Sequence, residues 1–222
     1  VKGYRNFLNK IWNANNFSVQ NNCKFSSSLN IKKINLDINK WIYFELYNVS
    51  EEVQKHMLNF RFDEAAKTIY QFAWHSYCDW YIEFLKPIFD SKSEKNLKES
   101  RIFSSFIQSN ILTMLHPFIP FFTEKLWLDL KLDKKLKKPL MYKNWDLPTK
   151  PSNSFKKSYN KIHWLIQLVS NIRSTKANLN VKPGSFIDVS IDNLTKDKKD
   201  IINNNLIVFK RLGRVNNILK YR

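Results

Sequence analysis

Residues 62 to 86 carry apolar side chains around most of a helical circumference, and that stretch limits the folds open to the chain. Phe62, Ala65, Ile69, Phe72, Ser76, Trp80 and Phe84 trace one face at helical spacing, while Tyr70, Trp74, Tyr77 and Tyr81 load the face beside it. A helix apolar on two adjoining faces has to be covered on both, so it belongs at the centre of a helical bundle. Asp63 and Glu64 in the first turn and Lys86 in the last suit the helix dipole, and Pro87 predicts the start of the helix end.

The flanking segments supply the covers. Tyr4, Phe7, Leu8, Ile11 and Trp12 form the apolar stripe of an opening helix, which turns Asn9, Asn13 and Asn16 toward solvent. From Ser18 to Asn35 the pattern dissolves into Asn, Ser and Lys, as in a surface loop. Asp37 or Asn39 is placed to cap a second helix through Trp41, Ile42, Leu46, Val49, Val53, Met57 and Leu58, with a restart signal at Ser50-Glu51-Glu52. A further helix carries Ile102, Phe103, Phe106, Ile107, Asn110, Ile111 and Met114. It meets two prolines in His116-Pro117-Phe118-Ile119-Pro120, which predict a kink or short break before helical spacing resumes at Phe121.

Beyond Leu132 the character changes. Residues 131 to 161 hold ten lysines against two acids, together with Pro139, Pro148 and Pro151, and read as a basic connecting segment. A long helix follows over about 155–178, then an alternating strand at Phe186 to Asp192, then a short helix and another strand. The expected organisation is therefore a mainly α protein: a helical bundle over 1–132, a basic linker over 133–154, and a long helix with a small mixed α/β tail over 155–222.

Chemistry narrows the function. Three glycines in 222 residues leave no glycine-rich phosphate loop or dinucleotide turn. Cys23 and Cys78 are the only thiols, and the four histidines are scattered, which argues against a disulfide scaffold or a zinc site and for a reducing compartment. Cys78 lies between Tyr77 and Asp79-Trp80 in the most apolar helix, where a thiol behaves as a small hydrophobe. Asp79 and Glu83 share a helical face, but no Glu-x-x-His repeat accompanies them, and Asp79 is expected to accept hydrogen bonds from a basic or Trp side chain across the bundle. No apolar run reaches 18 residues, so no membrane span is expected. The chain opens Val1-Lys2-Gly3-Tyr4-Arg5, with neither an initiator Met nor a secretory leader, and reads as a piece of a longer polypeptide.

The net charge of +18 points to a polyanionic partner. The chain also holds 26 asparagines, the mark of an A/T-rich coding bias that would favour Lys too. Bias alone would spread the charge evenly. Instead residues 1 to 40 carry seven basic and one acidic side chains, whereas 51 to 99 carry seven basic and nine acidic. Asn13, Asn15, Asn16 and Phe17, followed by Lys24, Lys32 and Lys33, combine amides and an aromatic ring suited to unpaired bases with cations suited to phosphates.

Four stretches resemble a known family. They are Gly3-Tyr4-Arg5-Asn6-Phe7-Leu8-Asn9-Lys10-Ile11-Trp12-Asn13-Ala14, Phe72-Ala73-Trp74-His75-Ser76-Tyr77-Cys78-Asp79-Trp80-Tyr81-Ile82-Glu83, Met114 through the His116-Pro117-Phe118-Ile119-Pro120 block to Trp127, and Ile172-Arg173-Ser174 leading to Asn180-Val181-Lys182-Pro183-Gly184. In order and spacing they resemble the anticodon-binding region of class I aminoacyl-tRNA synthetases, and within that group the valyl-tRNA synthetase family. The resemblance implies the class I anticodon-binding helical bundle with a small C-terminal α/β appendage. It implies a noncatalytic tRNA-binding portion, with no catalytic residue, metal or cofactor of its own. The parent would use ATP to join valine to tRNA(Val), with catalytic and editing domains in the same polypeptide, and would be cytoplasmic and monomeric. The implied tRNA-facing residues are Asn9, Asn13, Asn16, Phe17, Lys24, Lys32, Lys33 and Lys40. The implied core motif is Trp12, Trp74, Tyr77, Cys78, Asp79, Trp80, Tyr81, His116, Pro117 and Pro120. Competing readings are a purely structural module that packs on its parent with little RNA affinity, the equivalent domain of an isoleucyl-type synthetase, and an unrelated helical enzyme working through Cys78 or Asp79 and Glu83.

Overall fold

The computed structural model describes residues 2–23, 29–91, 93–129 and 138–221. The chain divides into two compact units, 1–156 and 157–222.

The first unit is a helical bundle of α1 (Lys2–Gln20), α2 (Asp37–Leu58), α3 (Phe62–Gln71), a π-helical stretch (Phe72–Tyr81), α4 (Ile82–Phe89), α5 (Glu94–Leu115) and α6 (Pro120–Asp129). The predicted central helix is continuous from α3 through α4, and Pro87 lies inside α4 with less than a turn beyond it. Its fully buried row is Ala65, Ile69, Ala73, Tyr77, Tyr81 and Leu85. That row differs from the expected one: Phe62 is exposed, and Ser76, Trp74 and Trp80 are half-buried. The reason is the π stretch, whose i→i+5 bonding widens each turn and alters which residues share a face.

Side-chain contacts fix the helix directions. Phe7 meets Tyr70 at a ring separation of 4.8 Å and Phe17 meets Phe89 at 5.6 Å, so α1 runs parallel to the α3–α4 helix. Trp41 meets Phe84 at 6.1 Å while Thr68 donates to Glu52 at 3.5 Å, so α2 runs antiparallel to it. One end of the bundle thus gathers the C-terminus of α1, the N-terminus of α2, the end of α4 and the start of α5. The opposite end holds the α2–α3 turn.

Several expectations need correction. α1 continues to Gln20, two residues past the predicted start of the loop. Its buried side is Phe7, Ile11, Ala14, Asn15 and Ser18, whereas Tyr4 is 76% and Trp12 37% exposed. Tyr4 sits in the first turn at the edge of the bundle, and Trp12 lies roughly a third of a turn from the buried line, where its ring meets that of Phe122 at 6.4 Å. α2 does not restart at Ser50, which is buried and whose Oγ contacts Met114 Sδ at 3.8 Å. Neither Asp37 nor Asn39 is its cap, since that position is Leu36 and Asn39 is buried. The break at the proline block is present between Leu115 and Pro120, but Pro117 and Pro120 are exposed instead of packed in the core. A proline at the first helical position loses no hydrogen bond, so Pro120 opens α6 without needing cover. Half-buried His116 bridges the break through Nδ1 and Thr123 Oγ1, 2.8 Å apart.

The described part of the connecting segment, 138–152, packs on the first unit. Leu140 is buried, Trp127 Nε1 donates to the Lys138 carbonyl at 3.3 Å, and Tyr43 Oη donates to the Thr149 carbonyl at 2.9 Å. Lys143 Nζ donates to Ser109 Oγ at 2.8 Å and Thr113 Oγ1 at 2.9 Å.

Helix α7 (Asn153–Asn178) carries the unit boundary in its first turn. In the second unit β1 (Ile187–Ile191) pairs in parallel with β2 (Val215–Tyr221), Ile187 opposite Val215 and Val189 opposite Ile218. Parallel neighbours need a crossover, supplied here by α8 (Lys196–Asn204) and α9 (Leu206–Gly213), two helices where one was expected. Ile202, Val208, Phe209, Leu212 and Val215 are buried there.

Candidate nucleic-acid interface

Asn9, Asn13 and Asn16 recur at four and three residues, so they share a face of α1, opposite the buried line through Ile11 and Ser18. All three are exposed, and their side-chain amides make no hydrogen bond with other described residues. Each can therefore both donate to and accept from an incoming base edge. Phe17, expected to offer a stacking face, is half-buried against Phe89.

The chain leaves α1 through a fixed point: Cys23 N donates to the Ser18 carbonyl at 2.9 Å, and the Cys23 side chain is buried. Burial pushes its thiol pKa up to about 11, with Ser104 hydrogen bonding and the Arg101 charge acting in the opposite sense. Lys24 lies outside the described residues. The chain then makes a 3₁₀ turn, Ile31–Lys33, capped by Asn30, whose Oδ1 accepts from Lys32 N at 3.0 Å. Lys32 and Lys33 are exposed on that turn, and Lys40 is half-buried in the first turn of α2.

Glu99 of α5 holds this return in place. Its Oε2 accepts from Asn35 N at 3.0 Å, and its Oε1 accepts from Leu36 N and Asn39 Nδ2, both at 2.9 Å. Asn39 Oδ1 in turn accepts from Tyr81 Oη at 2.7 Å inside the core. A second buried link joins Gln108 Nε2 to Asn15 Oδ1 at 2.8 Å, with Tyr77 Oη donating to Gln108 Oε1 at 3.4 Å. Buried amides and hydroxyls of this kind specify one arrangement because any other leaves them unpaired. Asn15, expected with Asn13 and Asn16 among the amides suited to unpaired bases, is instead buried and engaged by Gln108, because it falls on the inward side of α1. Sequence reasoning missed Asn15, Asn39, Glu99 and Gln108 as positioning residues. The available signal was polarity at apolar spacing: Asn15 lies four residues beyond Ile11, on the buried side of α1.

The groups considered for catalysis are otherwise engaged. Cys78 is buried, and burial pushes its pKa up to about 12 although the Lys10 charge opposes the shift, so the reactive thiolate is suppressed. Asp79 pairs with Lys10, as the expectation of a basic partner across the bundle required, and lies 3.2 Å from His75 Nδ1. Lys10 also stands 4.0 Å from the centre of the half-buried Trp74 ring. Glu83 pairs with Lys86. No cluster of three metal-ligating side chains occurs among the described residues, and no described helix is long and apolar enough to cross a membrane.

A family profile described as the anticodon-binding domain of tRNA ligase matches residues 39–191. A valine–tRNA ligase from Pelagibacter ubique is 48% identical over 220 residues, which are 98% of this chain and 25% of that protein. Valine–tRNA ligases from Brucella suis and Agrobacterium fabrum are 36% and 34% identical, again across 98% of this chain and 24% and 23% of their own lengths. The chain thus spans about a quarter of each of these relatives. On the match over 39–191, with a helical bundle and a small C-terminal sheet of the expected kind, the chain belongs to the family of anticodon-binding domains of tRNA ligases.

Proposed function

We propose that this chain is the noncatalytic part of a valine–tRNA ligase that holds the anticodon stem and loop of tRNA(Val). Its parent activates valine with ATP and esterifies it to the tRNA, using catalytic and editing domains of the same polypeptide, as a cytoplasmic monomer. The observation that carries this reading is that the relatives aligned along 98% of the chain are valine–tRNA ligases. The geometry adds an exposed row of unengaged amides on α1, followed by a loop with exposed lysines. In the proposed division of work Asn9, Asn13 and Asn16 read bases, while Lys24, Lys32, Lys33 and Lys40 hold phosphates and Phe17 braces the end of α1.

The test is titration of the chain with labelled tRNA(Val) and with a variant altered only in its anticodon, each at two salt concentrations. Binding should weaken steeply with salt. Replacing Asn13 and Asn16 together by Ala should reduce discrimination between the two RNAs by about 1–3 kcal/mol, the size of a good base contact in duplex recognition. Replacing Lys32 and Lys33 by Gln should weaken both RNAs alike and flatten the salt slope by about 1.4 for two lost single-strand contacts. Equal losses on both RNAs from the asparagine pair would contradict base reading, and salt-independent binding would contradict the phosphate role.

A further inference from the structure

Between the end of α1 and the first turns of α5 lies an open groove of about 460 Å³, lined by Asn22, Glu94, Leu97, Lys98, Arg101 and Ile102. Its chemistry is incomplete among the described residues. Arg101 Nε is buried and meets no hydrogen-bond acceptor among them, a costly state for a polar group removed from water. Neither Arg101, Lys98 nor Glu94 forms an ion pair among the described residues, although two cations and a carboxylate line one groove. Asn22 is held in the left-handed region at φ 56°, with its N–H on the Val19 carbonyl at 3.1 Å, so its position at the rim is fixed.

We propose that this groove takes a single unpaired nucleotide of the bound RNA. The inference rests on the RNA-binding reading above and extends it to a site that lies beyond the row of asparagines. Leu97 and Ile102 supply the apolar surface that a base plane covers. Arg101 supplies donors for base oxygen and ring nitrogen atoms, presented as a planar fork, and Lys98 supplies donors for the phosphate. Glu94 supplies an acceptor for an exocyclic amino group, and Asn22 adds a group that does both. A bare phosphate would be repelled by Glu94, so this mixture fits a nucleotide better than an inorganic anion. The volume lies within the range of small-molecule sites. The groove is also placed for an RNA loop: it adjoins the end of α1, and its α5 residues, from Glu94 to Ile102, flank Glu99, which fixes the return of the lysine-bearing loop.

The test measures affinity of the chain for an RNA stem-loop carrying a valine anticodon, and for a series in which each loop nucleotide in turn is made abasic. Arg101→Met keeps the apolar stem and removes the fork. It should weaken the intact loop about tenfold or more. On one member of the abasic series the same substitution should have no further effect, because the base it meets is already gone. Glu94→Gln changes an exposed side chain, so it tests the groove even if Arg101→Met does not fold, and it should change which base is preferred at that same loop position. A folded Arg101→Met variant that binds like the wild type, or that loses the same factor on every abasic RNA, overturns the proposal. Unchanged base preference in Glu94→Gln does so as well. Failure of the wild-type chain to bind any stem-loop in a salt-sensitive way would remove the RNA-binding reading itself, whereas indifference to Arg101→Met removes the groove alone.

Discussion

The two ends of α2 are closed by different means. At the N-terminal end a long excursion from α1 returns to the bundle, and a side chain from another helix fixes it: Glu99 binds Asn35, Leu36 and Asn39, and Asn39 is locked to Tyr81. At the C-terminal end a short turn closes on its own backbone. Arg61 N reaches the His56 carbonyl at 2.9 Å and Phe60 N reaches Met57 at 3.1 Å, with Phe60 at φ 56°. Leu58 and Phe60 are exposed there, Phe60 by 79%. A short turn carries its own hydrogen bonds, but a long loop must borrow them from its surroundings. The end that borrows is the end where the exposed lysines and amides gather, so the surface proposed to meet RNA is held in place by residues of the core.

That contrast makes graded predictions. Tyr81→Ala should be the most damaging change, costing about 3–5 kcal/mol through lost aromatic burial and a cavity, read from denaturant unfolding. An unfolding midpoint close to wild type would show that the pinned end does not depend on the core. Glu99→Ala should cost about 1–3 kcal/mol by leaving the buried Asn39 amide and the half-buried Leu36 N–H without their acceptor. It should also speed amide exchange at Asn35 and Leu36 and weaken tRNA binding, while Asn59 to Arg61 exchange as before. If protection at Asn35 and Leu36 is unchanged, the loop has another anchor. At the opposite end, Phe60→Gly should stabilise the chain by about 0.5–1 kcal/mol, since glycine adopts the left-handed region freely and little burial is lost. Destabilisation there would mean that the exposed ring contributes more than the backbone strain costs.

The smallest effect expected concerns pH. Lys143, hydrogen-bonded to Ser109 and Thr113, has its pKa lowered to about 8 by burial, with the Asp146 charge opposing the shift. Between pH 8 and the ordinary lysine value the folded chain binds fewer protons than the unfolded chain. This group's contribution therefore makes stability rise with pH across that window, while below pH 8 the penalty of the buried charge is fully present. Lys143→Met should lack that rise, so wild-type stability should gain on the variant's from pH 8 to 10. Parallel curves would show that the ammonium is solvated.

Much of the fold was legible because amphipathic periodicity and proline chemistry are local. The helices, the break before Pro120 and the alternating strand at 187–191 all follow from residues close in sequence. The inward face of α1 keeps Phe7 and Ile11 but not Tyr4 and Trp12, because aromatic size does not fix burial: those two sit at an edge, whereas small Ala14, Asn15 and Ser18 face inward. The asparagine row could be read from spacing alone. Glu99 could not, since its partners lie sixty or more positions away and nothing near it in sequence marks it as an acceptor. Arg101 is equally silent, because a buried Nε without an acceptor among the described residues is a property of a place and not of a sequence pattern.

The π stretch has a consequence for chain length. The row from Ala65 through Ile69, Ala73, Tyr77 and Tyr81 to Leu85 keeps a repeat of four, and all six side chains are at most 1% exposed. In an ordinary helix such a repeat would drift by about 40° at each step, carrying Leu85 roughly half a circumference away from Ala65. The wide turns of Phe72–Tyr81 hold back that drift and bring the upper and lower halves into phase. Deleting one exposed residue inside this stretch, such as His75, would therefore swing one half of the row out of alignment with the other. Register, rather than composition, is therefore the tighter constraint on this helix.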